Sequence, residues 1–169
     1  PIYHRMGETQ SAVPDSGSPY ALNNRIAHTE YIGLGELEGP EDVVLDKDDH
    51  LYCGTRHGEI VRFFAPDYVR SEIFAHTGGF PLGLAIDKDS NILSCVGAMG
   101  LYQISPKGEV KQLSAETNRS YTSIVDDARL RDPNDLDIAP DGKIYFTDST
   151  TRYDAHDWAI DSIEGRPTG

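Results

Sequence analysis

The residues best suited to chemistry in this sequence follow two of its prolines. Glu41 and Asn134 each come directly after a proline, and the next positions hold Asp42 and Asp135. Carboxylate and carboxamide oxygens are the donors that hold a hard cation such as calcium. The sequence therefore predicts a divalent-cation site at Glu41 and Asn134, provided that the fold brings the two segments together.

Ordinary structural roles also account for these residue types. Asp and Asn beside proline are common turn and cap residues, and a Glu at the end of a strand is usually solvated. Spacing alone leaves both interpretations open, so the elements that carry these residues must decide between them.

Three segments, 39–53, 80–94 and 132–146, align without a gap from a shared proline. Apolar residues recur at the third, fifth and eleventh places after it: Val43, Leu84 and Leu136, then Leu45, Ile86 and Ile138, then Leu51, Ile92 and Ile144. Alternation with a period of two predicts strands. Acidic turns at 48–49, 89–91 and 141–142 separate the apolar clusters and suit left-handed backbone geometry. Each segment is therefore predicted to be a hairpin.

Further strands are predicted at 59–63 and 101–104, with a fourth strand in each of these units at 71–75 and 109–113. Four strands in roughly 40 to 50 residues is the size of a β-propeller blade. A β-sandwich would also have short alternating strands, but it does not predict the recurring phase from proline to aspartate. The predicted fold is all-β, with about three four-stranded blades of a propeller.

The predicted organisation is an irregular arm at 1–27 and a single propeller domain at 28–169. Blades start near 39, 80 and 132, and an insertion occupies 150–169. Within it, Ala159 and Ile163 are four residues apart and predict a short amphipathic helix, packed on a blade or acting as a lid. Propellers close with about four to eight blades. We therefore expect the remaining blades to come from missing sequence, a second chain or a symmetry mate.

Composition excludes one class of partner. Fifteen Lys and Arg against 28 Asp and Glu give a net charge of −13, which argues against binding of nucleic acid through basic patches. Cys53 and Cys95 belong to no C-x-x-C or Cys/His cluster and are expected in the core. The opening residues lack the apolar core of a secretory signal, but a chain that begins with Pro leaves an exported precursor open, so no compartment is assigned.

A resemblance extends from about residue 30 to the end of the chain. In order, its motifs are Gly-Pro-Glu-Asp at 39–42, Gly-Thr-Arg-His-Gly-Glu-Ile at 54–60, Pro-Leu-Gly-Leu at 81–84, Asp-Pro-Asn-Asp-Leu-Asp at 132–137, Ile-Tyr-Phe-Thr-Asp-Ser at 144–149 and Glu-Gly-Arg-Pro-Thr-Gly at 164–169. Together they resemble the senescence-marker-protein/gluconolactonase family, and within it the strictosidine-synthase-like branch. The resemblance implies a six-bladed propeller with a divalent cation, calcium above all, near the top of its channel.

The resemblance also implies roles for single residues. Glu41 matches the family's metal-ligating glutamate, and Asn134 matches an asparagine that ligates the catalytic calcium of related paraoxonases. Asp42 and Asp135 match the paraoxonase residues that hold a second, structural calcium. The other family ligands, an Asn and an Asp from later blades, would lie beyond residue 169. Leu82 stands where paraoxonases have a histidine proposed as a base, so no catalytic residue is assigned.

Many family members hydrolyse lactones or esters, and the leading expectation is a metal-dependent hydrolase of a small molecule. One alternative is amine–aldehyde condensation as in strictosidine synthase, which needs no cation. Another is a ligand-binding propeller, because 145–148 resembles the Y-W-T-D signature of receptor propellers. That signature does not recur in the other blades, and Asp148 is expected to bond within its own blade. The six histidines are expected in solvent or in turn hydrogen bonds: His4, His28, His50, His57, His76 and His156.

Overall fold

The computed structural model describes residues 17–117, 129–150 and 152–165. The chain divides into two compact units, 1–31 and 32–169. In the first unit a short 3₁₀ helix, Arg25–His28, contains no buried residue. The second unit carries the sheets.

Two four-stranded antiparallel sheets form the first two blades, each with its strands in sequence order. The first contains β1 (Val43–Leu45), β2 (Leu51–Gly54), β3 (Glu59–Phe63) and β4 (Ser71–His76). The second contains β5 (Pro81–Ile86), β6 (Ile92–Val96), β7 (Gly100–Ile104) and β8 (Val110–Ser114). The predicted hairpins and the third and fourth strands of both units are confirmed.

The third blade consists, within the described residues, of one hairpin, β9 (Pro133–Ile138) and β10 (Ile144–Asp148). Its register pairs Leu136 with Phe146 and Ile138 with Ile144. This is the hairpin predicted from the repeat, so the all-β propeller fold is confirmed.

The core lies between the blades, as alternation of side chains requires. The layer between the first and second blades contains Tyr52, Ile60, Ala75, Leu84, Ile92 and Ile104. The layer between the second and third contains Leu93, Cys95, Leu101 and Leu136. On β6, Ile92 belongs to the first layer and Leu93 to the second, because successive side chains point to opposite faces. Cys53 and Cys95 are 1% and 0% exposed, as expected.

The first two hairpin turns place residues with left-handed backbone geometry where predicted, but the aspartate that hydrogen-bonds each turn lies before it. Asp49 and Ser90 have φ values of 61° and 64°. The Oδ1 atom of Asp46 accepts hydrogen bonds from the N–H groups of Asp48 and His50, each at 2.9 Å. The residue that secures this turn is therefore Asp46, the aspartate before it.

The helix predicted in the insertion is present as α1, Trp158–Glu164. Ile163 on the expected apolar face is 85% exposed, whereas Asp161 is buried, so the described residues do not cover that face. A period of four marks a helix face but does not say which neighbour covers it. The lid over the channel stays a prediction.

Candidate functional site

One cavity of about 190 Å³ brings together all four residues predicted to hold cations. It is lined by Glu41, Asp42, Gly83, Asn134 and Asp135. Glu41 and Asp42 directly precede β1, Gly83 lies in β5, and the other two residues lie in β9. The first three blades therefore each contribute to this cavity, and the second contributes only a glycine.

The side chain of Asp42 connects the first blade to the second. Its Oδ1 atom accepts the N–H of Val43 at 2.7 Å, and its Oδ2 atom accepts the N–H of Leu84 at 2.8 Å. The second bond spans 42 residues of sequence. Both carboxylate oxygens of Asp42 thus already have backbone donors.

The second and third blades meet closely at Gly83. A Cβ atom at this position would lie 2.6 Å from the Cα atom of Asp135 and 2.8 Å from the carbonyl oxygen of Asn134. Such distances are well below ordinary carbon contacts. Only glycine permits this approach, which places Asn134 and Asp135 beside the same cavity as Glu41.

The third blade fixes its own acidic residue locally. The Oδ1 atom of Asp135 accepts the N–H of Leu136 at 2.8 Å, and the N–H of Asp135 donates to the Oγ1 atom of Thr147 at 3.2 Å. The first of these bonds repeats the bond between Asp42 and Val43. Equivalent places in the first and third blades therefore have the same local geometry.

The cavity is an acidic site. Partial burial of the Glu41 carboxyl and the nearby charges of Asp42 and Asp135 raise its pKa above the ordinary value. A carboxyl whose ionisation is opposed by neighbouring carboxylates favours a bound cation, because the cation relieves their repulsion. This electrostatic arrangement and the oxygen-rich side chains fit a hard cation such as calcium.

The described residues provide only part of a coordination shell. They contain no group of three His, Cys, Asp or Glu side chains arranged to hold a metal ion. Calcium takes six to eight oxygen ligands. Glu41 and Asn134 fit as contributors to such a shell, whereas Asp42 offers oxygens that already accept two backbone bonds.

Asp132 is a fourth acidic residue near the cavity, in addition to Glu41, Asp42 and Asp135, and it was not predicted as a site residue. It is 8% exposed. Its burial, and then the charges of Asp148 and Glu41, raise its pKa to about 6. Its position directly before the shared proline was the available signal, but Gly39 and Phe80 occupy that place in the other blades.

Asp148 bonds within its own blade, as expected. Its Oδ1 atom accepts the N–H of Asp132 at 2.6 Å, and its Oδ2 atom accepts the N–H of Arg131 at 3.1 Å. Because both oxygens secure the segment that enters β9, Asp148 supports the position of Asn134.

Leu82 directly follows the shared proline of the second segment, the place that Glu41 and Asn134 occupy in the first and third, and its side chain is buried. It is 7% exposed, and its Cδ1 atom lies 3.5 Å from where a Cβ atom of Gly97 would stand. None of the described histidines lines the cavity. The Nδ1 atom of His50 accepts the N–H of Ala65 at 3.1 Å, and the ring of His57 pairs with Glu38 at 2.9 Å. His4 lies outside the described residues.

Comparisons with known proteins agree with this architecture. The family model for the N-terminal part of strictosidine synthase-like proteins matches residues 18–63. Strictosidine synthase-like 4 of Arabidopsis thaliana is 32% identical over 156 residues, covering 89% of this chain and 40% of that protein. The adipocyte plasma membrane-associated protein of Gallus gallus is 29% identical over 159 residues, covering 87% of this chain and 37% of that protein.

Among solved structures, a gluconolactonase of Xanthomonas campestris superimposes with a TM-score of 0.50 at 24% identity, covering 66% of this chain and 34% of the other. The fold is therefore that of a gluconolactonase-like β-propeller. The chain belongs to the strictosidine synthase-like branch of the senescence-marker-protein/gluconolactonase family, as its motifs predict. It spans about 40% of the length of the curated relatives that it matches. In the described part of the chain, no helix is long and apolar enough to cross a membrane.

Proposed function

We propose that this chain supplies part of the cation site of a propeller that hydrolyses lactones or esters of a small molecule. The observation that carries the proposal is the meeting of Glu41 and Asn134, two residues 93 positions apart, in one acidic cavity between blades. Membership of a family that includes gluconolactonase-like propellers supports the reaction class.

Glu41 and Asn134 would hold a divalent cation, most simply calcium. When bound, that cation supplies Lewis-acid polarisation of the ester carbonyl and stabilisation of the oxyanion that develops on it. Glu41 contributes negative charge, and Asn134 contributes a neutral oxygen. Because the Asn adds no charge, a divalent cation held by this pair keeps net positive charge for the substrate.

We further propose that other blades complete the propeller, from missing sequence, a second chain or a symmetry mate. Val43 and Leu45 on β1 are 57% and 55% exposed, and Tyr145 on β10 is 62% exposed. Apolar residues on the outer blades of an arc are expected to pack against neighbouring blades. The larger size of the relatives supports further sequence as the source.

The test uses the intact protein, with its metal content measured by elemental analysis and its hydrolysis assayed on a panel of lactones and aryl esters. Glu41→Gln is expected to lose the cation and the hydrolysis together. Asn134→Ala is expected to keep its fold, with a larger effect on the rate of hydrolysis than on the free energy of unfolding. The control is Glu36→Gln, an equal change in charge at an exposed residue outside the cavity, and it should retain both properties.

Two results would contradict the proposal. Glu41→Gln could retain both metal content and hydrolysis at the level of the Glu36→Gln control. Alternatively, the wild-type protein could condense an amine with an aldehyde while fully stripped of cations and hydrolyse no ester, which would assign it to the strictosidine synthase reaction.

A further inference from the structure

At the third place after each shared proline, the backbone N–H group donates a hydrogen bond to the carboxylate of an aspartate. In the first and third blades the donor bonds to the aspartate that precedes it: Val43 to Asp42, and Leu136 to Asp135. In the second blade the preceding residue is Gly83, which has no carboxylate. The N–H of Leu84 bonds instead to Asp42 of the first blade, at 2.8 Å.

Asp42 therefore serves two blades at once. Leu84 is 4% exposed, and a buried N–H without an acceptor is costly. Hydrogen bonds to a carboxylate are shorter and about twice as strong as those between neutral groups. The bond from Leu84 to Asp42 consequently fixes the start of β1 against β5.

This connection also governs the cavity. Glu41 is the neighbour of Asp42, and their Cα atoms are about 3.8 Å apart. On the other side of the second blade, Gly83 packs directly on the backbone of Asp135. The separation between Glu41 and Asn134 is thus set by two contacts, one at Asp42 and one at Gly83.

We propose that Asp42 is a positioning residue, which holds Glu41 at the separation from Asn134 that the cation needs, and is not a ligand of a second cation. Each Asp42 oxygen already accepts one backbone N–H, from Val43 or from Leu84, which occupies one of its two lone-pair sites and turns the positive end of an N–H group toward it. This inference rests on the proposed function for the cation at Glu41 and goes beyond it by assigning Asp42.

The experiment compares three variants of the intact protein. Asp42→Asn leaves one side-chain oxygen for the two backbone N–H groups that Asp42 now serves, because the NH₂ group cannot accept a hydrogen bond. Asp135→Asn removes an equal charge from the same cavity. Asp137→Asn is the control, because the Oδ1 atom of Asp137 accepts the N–H of the next residue, Ile138, at 2.7 Å, but Asp137 does not line the cavity. The readouts are amide hydrogen exchange at Leu84 and calcium titration by calorimetry.

In Asp42→Asn we expect exchange at Leu84 to accelerate at least about tenfold. Calcium should bind with unchanged stoichiometry and with affinity lowered by more than in Asp135→Asn, since position and charge are both lost. Asp137→Asn should match the wild type in both readouts. A loss of one calcium equivalent in Asp42→Asn with no change at Leu84 would overturn the proposal, as would equal affinity losses in Asp42→Asn and Asp135→Asn with Leu84 unchanged.

The wild-type protein provides a measurement that does not depend on the variants folding. One calcium per chain at this cavity supports the proposal, and two calcium ions that both depend on Asp135 overturn it. A wild-type protein without any calcium and without hydrolysis would instead refute the proposed function. The failure of the positioning role is distinct, because there the wild type binds calcium and Asp42→Asn leaves both its affinity and the Leu84 amide unchanged.

Discussion

Replacement of Gly83 by alanine tests the contact between the second and third blades. The added Cβ atom would lie 2.6 Å from the Cα atom of Asp135, 2.8 Å from its Oδ1 atom and 2.8 Å from the carbonyl oxygen of Asn134. Two of these three atoms belong to the backbone and cannot rotate away. Carbon atoms normally approach to about 3.5 to 4.0 Å, so the blades must part by about 1 Å. Overpacking of this kind costs about 1–3 kcal/mol.

The free energy of unfolding, measured at equilibrium in denaturant without calcium, is the appropriate assay. Gly97→Ala is the matched control, because its Cβ atom would meet its nearest neighbours, Leu82 and Asp132, at an ordinary 3.5 Å. We expect Gly83→Ala to lose about 1–3 kcal/mol and Gly97→Ala to stay within about 0.5 kcal/mol of the wild type.

Parting the blades also moves Asn134 away from Glu41, which lies across the second blade. If calcium affinity falls tenfold, saturating calcium stabilises Gly83→Ala by about 1.4 kcal/mol less than the wild type, since binding contributes RT ln(1 + [L]/Kd). The reasoning is refuted if Gly83→Ala matches Gly97→Ala both in unfolding free energy and in the stabilisation that calcium gives.

Two further predictions concern titrating groups. Without calcium, Asp132 has a pKa of about 6 in the folded protein against an ordinary value of 3.8, so the folded state binds the proton more tightly and stability falls as pH rises from about 4 to about 6. Asp132→Asn should remove this loss, so its free energy of unfolding should exceed that of the wild type by up to about 3 kcal/mol at pH 7. At pH 4 the two free energies should not differ. Denaturant unfolding at both pH values measures this, and a constant difference would contradict it. Burial raises the pKa of Cys53 to about 11 and that of Cys95 to about 12, so iodoacetamide at pH 8 should label them only after global unfolding. Labelling of either thiol in native protein, detected by mass spectrometry, would show that the core opens locally.

The strands could be predicted from the sequence because their signal is local. The third strands of the first two blades were predicted at 59–63 and 101–104, directly after the hairpins, and the structure has Glu59–Phe63 and Gly100–Ile104. The exposure of the Ile163 side chain could not be predicted in the same way. A helical period marks two residues on one face, but burial depends on what packs there, and Ile163 is 85% exposed.

The candidate site could be predicted as a set of residues but not as a set of contacts. Repeat alignment placed Glu41 and Asn134 at equivalent positions, and the structure puts both on one cavity. The bond from Leu84 to Asp42 spans 42 residues and leaves no local pattern. The raised pKa of Asp132 likewise depends on charges that only the fold brings near it.

The difference between the repeats is what makes this cavity possible. A fully symmetric arc would repeat the aspartate of the first and third blades at position 83, where the close approach of Asp135 leaves no room for a side chain. It would also add a third carboxylate to the charges that already raise the pKa of Glu41. The glycine removes both obstacles, but it leaves the N–H of Leu84 without an acceptor in its own blade. Asp42 supplies that acceptor from the first blade. The glycine at position 83 therefore both leaves room for the cavity and leads to the hydrogen bond that holds the first blade against the second.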